Sequence, residues 1–207
     1  MASQLSEWST IHIVVCAFRC THIVPVQTGE HTPHAHARTH RRISVRTHRA
    51  RADELFVGVA DEAAFVNGVR LHGPDRSVAS LDKAMVITDV GYERSPKGAR
   101  RLAACHEALL HANVFGVRIV GSTVLALSWL AAGRATAVYM GLAARDCPKA
   151  WDWCAACAIG QACGISYLRV GSEAPFDLTS SSVVAAGSEG LAMALRRVLT
   201  GALAEVP

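Results

Sequence analysis

The chain has 207 residues, 51% of them hydrophobic, which is material for one domain with a real core, yet no apolar run approaches the roughly 18 to 20 residues that span a bilayer. Its net charge of +4 is local: residues 1–52 hold seven Arg against two acids, and the remainder holds 14 basic and 15 acidic side chains, so a basic face for nucleic acid is not indicated. Seven cysteines are an odd number, and the apolar run 11–18 follows Glu7 and contains His12, unlike a signal peptide; a disulfide framework is disfavoured, and a reducing, cytoplasmic setting is expected.

Residues 1–52 differ in character from the rest of the chain. Seven of the ten His lie there, mixed with Thr and Arg in the run HTPHAHARTHRRISVRTHRAR, whose apolar residues follow neither a period of two nor one of 3.6. The composition predicts a segment without a stable fold. Cys16, Cys20, His22, His31, His34 and His36 have ligand chemistry, but their spacing matches no zinc finger or ribbon. Two other origins stay open: an Arg-rich organelle transit peptide, or translated intron or untranslated sequence, because CA-rich and CG-rich repeats encode these residue types.

From Asp53 a second domain, 53–207, is expected. Leu55 to Val59 reads as a strand, and a second apolar stretch is broken by Asn67-Gly68, a strong hairpin signal because both residues tolerate positive φ. Ala84 to Thr88 is another apolar run, and a helix is predicted from Pro96 to about His111. Val114 to Val120 reads as a strand ending at Gly121, Ser122 caps a helix to Ala132, and Ala135 to Met140 is a strand. After the helix that contains Asp152 come a strand near Ile165 to Val170, a loop holding Pro175-Phe176-Asp177, a strand from Ser182 to Ala186, and a closing helix from Ser188. Alternating strands and helices predict a layered α/β fold.

Two places have the chemistry of a site. Asp152 falls in the first turn of a helix ending at Gly164, where the helix dipole and free N–H groups keep a carboxylate ionised for a hard cation such as magnesium; the alternative is a plain cap. Gly121-Ser122 sits at a strand-to-helix turn whose N–H groups suit an anion or a sugar hydroxyl, although most such turns bind nothing. Cys154 and Cys157 form C-x-x-C, but with Ala and Ile around them they read as buried small side chains rather than a redox pair.

Four stretches, LFVGVADEAAFVNGVRL, GVRIVGSTVLALSWLAAGRATAVYMG, AWDWCAACAIGQACG and PFDLTSSSVVAAGSEGLAMAL, resemble in order the carboxy-terminal half of the inositol monophosphatases. The resemblance implies a layered αβαβα sugar-phosphatase fold, truncated at the amino-terminal side. It also implies Mg2+-dependent hydrolysis of a phosphate monoester such as myo-inositol monophosphate, lithium inhibition, and a homodimer with no nucleic-acid or membrane partner. Asp152 carries over as a metal ligand, and Gly121, Ser122 and Thr123 as the turn whose backbone faces the inositol ring.

The chain departs from that family's pattern. The family's Asp-Pro-Ile/Leu-Asp-Gly-Thr signature, with its two metal-binding carboxylates and its Thr, is absent, and the chain has no Asp-Pro. Met140 stands where the family has a Glu that bonds an inositol hydroxyl, the loop 142–150 is longer, and Gln161 and Cys163 replace a Glu and a Gly. A two-metal hydrolysis needs several carboxylates to hold cations about 3.5 to 4 Å apart. This leaves two expectations: a phosphatase that needs its missing carboxylates supplied, or a non-catalytic remnant or interaction domain.

Overall fold

The computed structural model describes residues 54–59, 62–142 and 147–206, together with the backbone of three earlier strands. Those strands are β1 (Ile13–Ala17), β2 (Cys20–Val24) and β3 (Ser44–Arg49). With β4 (Glu54–Val59), β5 (Ala63–Val66) and β6 (Val69–Arg70) they form one sheet in the order β2-β1-β3-β4-β5-β6. Its pairs are antiparallel except β1 with β3. The β5–β6 turn is Asn67-Gly68, with φ of 48° and 81°, the positive values that a two-residue hairpin turn demands.

A second sheet holds β7 (Met85–Thr88), β8 (Gly116–Ile119), β9 (Ala137–Met140), β10 (Ser166–Leu168) and β11 (Val183–Ala186) in the order β10-β11-β9-β7-β8. Strands β7, β8 and β9 are parallel, and β11 is antiparallel to both β9 and β10. Four α-helices connect them: α1 (Pro96–His111), α2 (Thr123–Ala131), α3 (Ala150–Ala162) and α4 (Glu189–Ala204). Because β8 and β9 flank β7 on opposite sides, the right-handed crossovers through α1 and α2 put those helices on opposite faces of the sheet.

The period of two along the central strands divides the interior. Val138 and Met140 of β9 and Val183 and Ala185 of β11 face a core shared with α2, α3 and the first sheet. Ala137, Tyr139, Val184 and Ala186 face the other way, into a core shared with α1 and α4. The described layers are therefore sheet, helix pair, sheet, helix pair. Gly58 sets the spacing of the first two: a Cβ there would lie 2.7 Å from the Cα of Ile159 on α3, so only glycine allows this approach.

Most predicted elements are present with shorter ends. The strand expected from Val114 begins at Gly116, because the N–H groups of Val114 and Phe115 donate to Leu109 and Leu81 carbonyls instead of extending the ladder. The strand expected to reach Val170 stops at Leu168, and the Val170 N–H donates to Ser182 Oγ. Strands β1, β2 and β3 fall inside the segment 1–52 that composition leaves without a stable fold; their Ile, Val and Thr suit strands even without regular alternation, and β3 pairs along its length with β4. His31, His34, His36, Asp53 and Asp61 lie outside the described residues. Among the described residues no helix is long and apolar enough to cross a membrane.

Candidate functional site

Topology brings the starts of α2 and α3 to one edge of the second sheet. Helix α2 begins just past the C-terminal end of β8, which runs parallel to β7 and β9. The chain leaves β9 at Met140, opposite Val183 at the start of β11, and the start of α3 borders a cleft shared with residues 178–181 just before β11. At its far end α3 closes on Gly164 and feeds β10, which runs parallel to β9 because both are antiparallel to β11. Both helices thus run against β7 and β9 with their positive ends at the carboxyl edge, where ligands of open α/β sheets bind.

At the start of α2, Ser122 is the N-cap and its side chain accepts from the Leu125 N–H at 3.3 Å. Helix geometry leaves the Thr123 and Val124 N–H groups without an intrahelical acceptor. Gly121 is exposed, and a Cβ on it would meet nothing within 4 Å, so the space over this turn is open.

At the start of α3 the N-cap is Lys149, and Asp152 occupies the third helical position. Asp152 Oδ2 accepts the Lys149 N–H at 2.7 Å, the carboxylate half of a capping box; a Lys side chain has no acceptor with which to complete it. Its neighbour Trp153 is fully buried and fixes this end of the helix. Trp153 Nε1 donates to the Leu178 carbonyl at 3.2 Å, and its ring meets Phe176 edge-on with centroids 5.4 Å apart. Tyr167 stacks on the same Phe176 at 5.5 Å. The Pro175-Phe176-Asp177 loop is thereby pinned beneath the start of α3. Asp177 Oδ1 accepts from Thr179 N at 2.7 Å and Thr179 Oγ1 at 2.6 Å, and the Thr179 hydroxyl holds the carboxyl below its usual range.

The end of α3 shows why sequence placed it well. The Ile165 N–H donates to Gly160 O and the Gly164 N–H to Gln161 O, with Gly164 at φ 70°, which is a complete Schellman closure. Cys157 is buried, and desolvation pushes its thiol up to about 12, which keeps it neutral and inert.

The residues present do not fit a two-metal cluster: among the described residues no three His, Cys, Asp or Glu side chains come together as ligands. One further acid belongs to this edge. Asp89 directly follows β7 and its Oδ1 accepts the Gly91 N–H at 2.9 Å. Sequence reasoning passed over it; its only signal is an acid placed at the end of the apolar run AMVIT.

A profile described as the inositol monophosphatase family matches residues 31–203, most of the chain. The chain belongs to the inositol monophosphatase family. It is 37% identical over 153 residues to inositol monophosphatase 2 of Rattus norvegicus, an alignment that covers 73% of this chain and 50% of the relative. An inositol monophosphatase structure from Anabaena superposes with a TM-score of 0.62 at 24% identity, covering 78% of this chain and 58% of that one. One from Thermotoga maritima gives 0.64 at 15% identity, covering 95% and 77%. These structures share the layered fold, and the chain spans about half the length of the curated relatives it matches.

Relatives in this family carry the name of a phosphoric monoester hydrolase. Met140 is 2% exposed and packs into the core beside α2 and α3. Cys163 is the C-cap of α3, and its carbonyl accepts from Arg76 Nη2 at 3.0 Å, which joins that helix end to the loop before β7.

Proposed function

We propose that this chain contributes half of an inositol monophosphatase site: Asp152 as one metal ligand, and the Gly121-Ser122-Thr123 turn as the backbone facing the sugar. The reaction is hydrolysis of an inositol monophosphate to inositol and phosphate with Mg2+, in a homodimer in the cytoplasm. The observation that supports the reading is the shared edge, at which two helices both begin, so that a phosphate ester and its cation would find both a positive field and a carboxylate. The remaining carboxylates come from a restored amino-terminal half or from another polypeptide, and this chain is inactive alone. Bound Mg2+ would supply Lewis-acid stabilisation of the phosphoryl oxygens.

A second reading, a non-catalytic remnant that binds a partner, is favoured by the buried Met140. Joining residues 53–207 to an amino-terminal half that bears Asp-Pro-x-Asp-Gly-Thr separates the two. The site reading expects lithium-sensitive release of phosphate that Asp152→Asn lowers by orders of magnitude. A folded fusion with no activity supports the remnant.

A further inference from the structure

The carboxyl ends of the three parallel strands β8, β7 and β9 stand in register. Ile87 of β7 pairs with Val138 of β9, and Thr88 pairs with Ile119 of β8. Continued past Thr88, where the Val120 N–H donates to Thr88 O at 2.9 Å, both ladders set Val120, Asp89 and Met140 side by side, neighbouring strands being about 4.8 Å apart. Alternation decides which face Asp89 takes. Val86 packs on the core under α1 and α4, Ile87 packs on the core shared with α2 and α3, and Asp89, two residues on, falls on the face of Ile87. Its neighbours agree, since Val120 and Met140 both pack on that same core. Helix α2 leaves β8 and reaches β9 by passing over β7 on this face, so its first turn starts beside Asp89. Asp89 is half-buried; its Oδ1 accepts the Gly91 N–H at 2.9 Å, and its Oδ2 has no partner among the described residues.

We propose that Asp89 is a specificity-determining residue, its Oδ2 accepting a hydroxyl of a cyclic polyol bound over the start of α2. The proposal rests on the reading that the Gly121-Ser122-Thr123 turn faces the sugar, and it names a side chain that recognises the sugar there. The chemistry of the place selects a hydroxyl over an anion. A hydroxyl donates one hydrogen bond and accepts others, so it satisfies a carboxylate oxygen and a free helix N–H at once. Both are present: Oδ2 of Asp89 is the acceptor, and the Thr123 and Val124 N–H groups are donors without an intrahelical acceptor. A phosphate only accepts, and the negative charge of Asp89 repels it from this spot. Val120 and Met140, on either side, offer no strong acceptor, so a ligand hydroxyl over these three strand ends is read by the carboxylate. The bond from Gly91 fixes Oδ1 and with it the direction of Oδ2, which favours a rigid ring whose hydroxyls are also fixed.

The test is a saturation-transfer NMR titration of the full chain with myo-inositol, which carries the hydroxyls and no phosphate, for wild type, Asp89→Asn and Asp89→Ala, each with a circular-dichroism melt. Asp89→Asn keeps an oxygen for the Gly91 N–H and removes the charged acceptor, so the turn survives while the proposed contact does not. Wild type is expected to bind saturably, and both variants to bind about tenfold more weakly or worse, as loss of a charge-assisted hydrogen bond predicts, with the melt of Asp89→Asn unchanged. Equal affinity of wild type and Asp89→Asn overturns the role of Asp89 and leaves the sugar-facing turn standing. Weakening confined to Asp89→Ala, together with a lowered melt, assigns the residue to the turn alone and also overturns the proposal. A wild type that does not bind myo-inositol overturns the proposal and the sugar-facing reading together.

Discussion

Asp152 Oδ2 accepts the backbone N–H of Lys149 at 2.7 Å, so the carboxylate that resemblance assigns to a metal also ties down the first turn of its own helix. A carboxylate has lone pairs enough for both tasks. Its structural share is measurable: Asp152→Ala should cost about 1 kcal/mol in urea unfolding, in line with other helix caps. Asp152→Asn keeps an acceptor and loses the charge at the helix start, so its cost should be smaller, about 0.3 to 1 kcal/mol. Equal stability of wild type and the alanine variant would mean the cap is not formed in solution.

Trp153 holds this end of α3 against the loop containing Phe176. Trp153→Ala should lose about 3 to 5 kcal/mol by emptying a fully buried site. Trp153→Phe keeps most of the volume and loses the bond to Leu178 O, for about 1 kcal/mol. Both are read by chemical denaturation. An alanine variant within about 1 kcal/mol of wild type would contradict the packing, since large core truncations cost more.

Alkaline stability should report on Cys157. Burial raises its thiol from 9.0 to about 12, helped by the nearby Cys154 and opposed by the nearby Tyr167 hydroxyl. A raised folded pKa means the stabilisation is complete below the unfolded value and is lost as pH rises from about 9 toward 12. Wild type should therefore lose about 1.4 kcal/mol per pH unit more than Cys157→Ala across that window. Parallel slopes for the two proteins would show that the thiol ionises as readily folded as unfolded.

How legible this was depended on whether the determining physics was local. Asn67-Gly68 and Gly164 act through their own positive φ and Ser122 through a side-chain bond to an N–H three residues on, and each marks an element boundary. Lys149 as the N-cap of α3 was not legible, because Lys lacks the acceptor that identifies a cap, and the bond comes from Asp152 reaching back. Strands β1, β2 and β3 were hidden by a His- and Arg-rich composition, and their pairing partners, β4 among them, are supplied by the sheet rather than by the segment itself. The candidate site shows the same division. Asp152 and Gly121-Ser122-Thr123 were chosen for local chemistry and then by resemblance, whereas their shared edge, and the place of Asp89 on it, come from strand order that no spacing reveals.

The order of residues 1–52 beyond those strands is open to limited proteolysis. Trypsin should cut at Arg38, Arg41, Arg42 and Arg51, outside β3, before it cuts the α/β layers, because such stretches have little apolar surface with which to offset their ordering entropy. Protection of those bonds while other sites are cleaved would contradict the expectation.

The central claim is that Asp152 by itself assembles no working metal site, and release of phosphate from inositol monophosphate by the full chain at millimolar Mg2+, beside Asp152→Asn, measures it directly. Both proteins should match the enzyme-free rate, because one carboxylate holds Mg2+ weakly and leaves it most of its water. Lithium-sensitive turnover by the wild-type chain that Asp152→Asn abolishes would contradict the account, and would mean that acids outside the described residues, such as Asp53 or Asp61, complete the site.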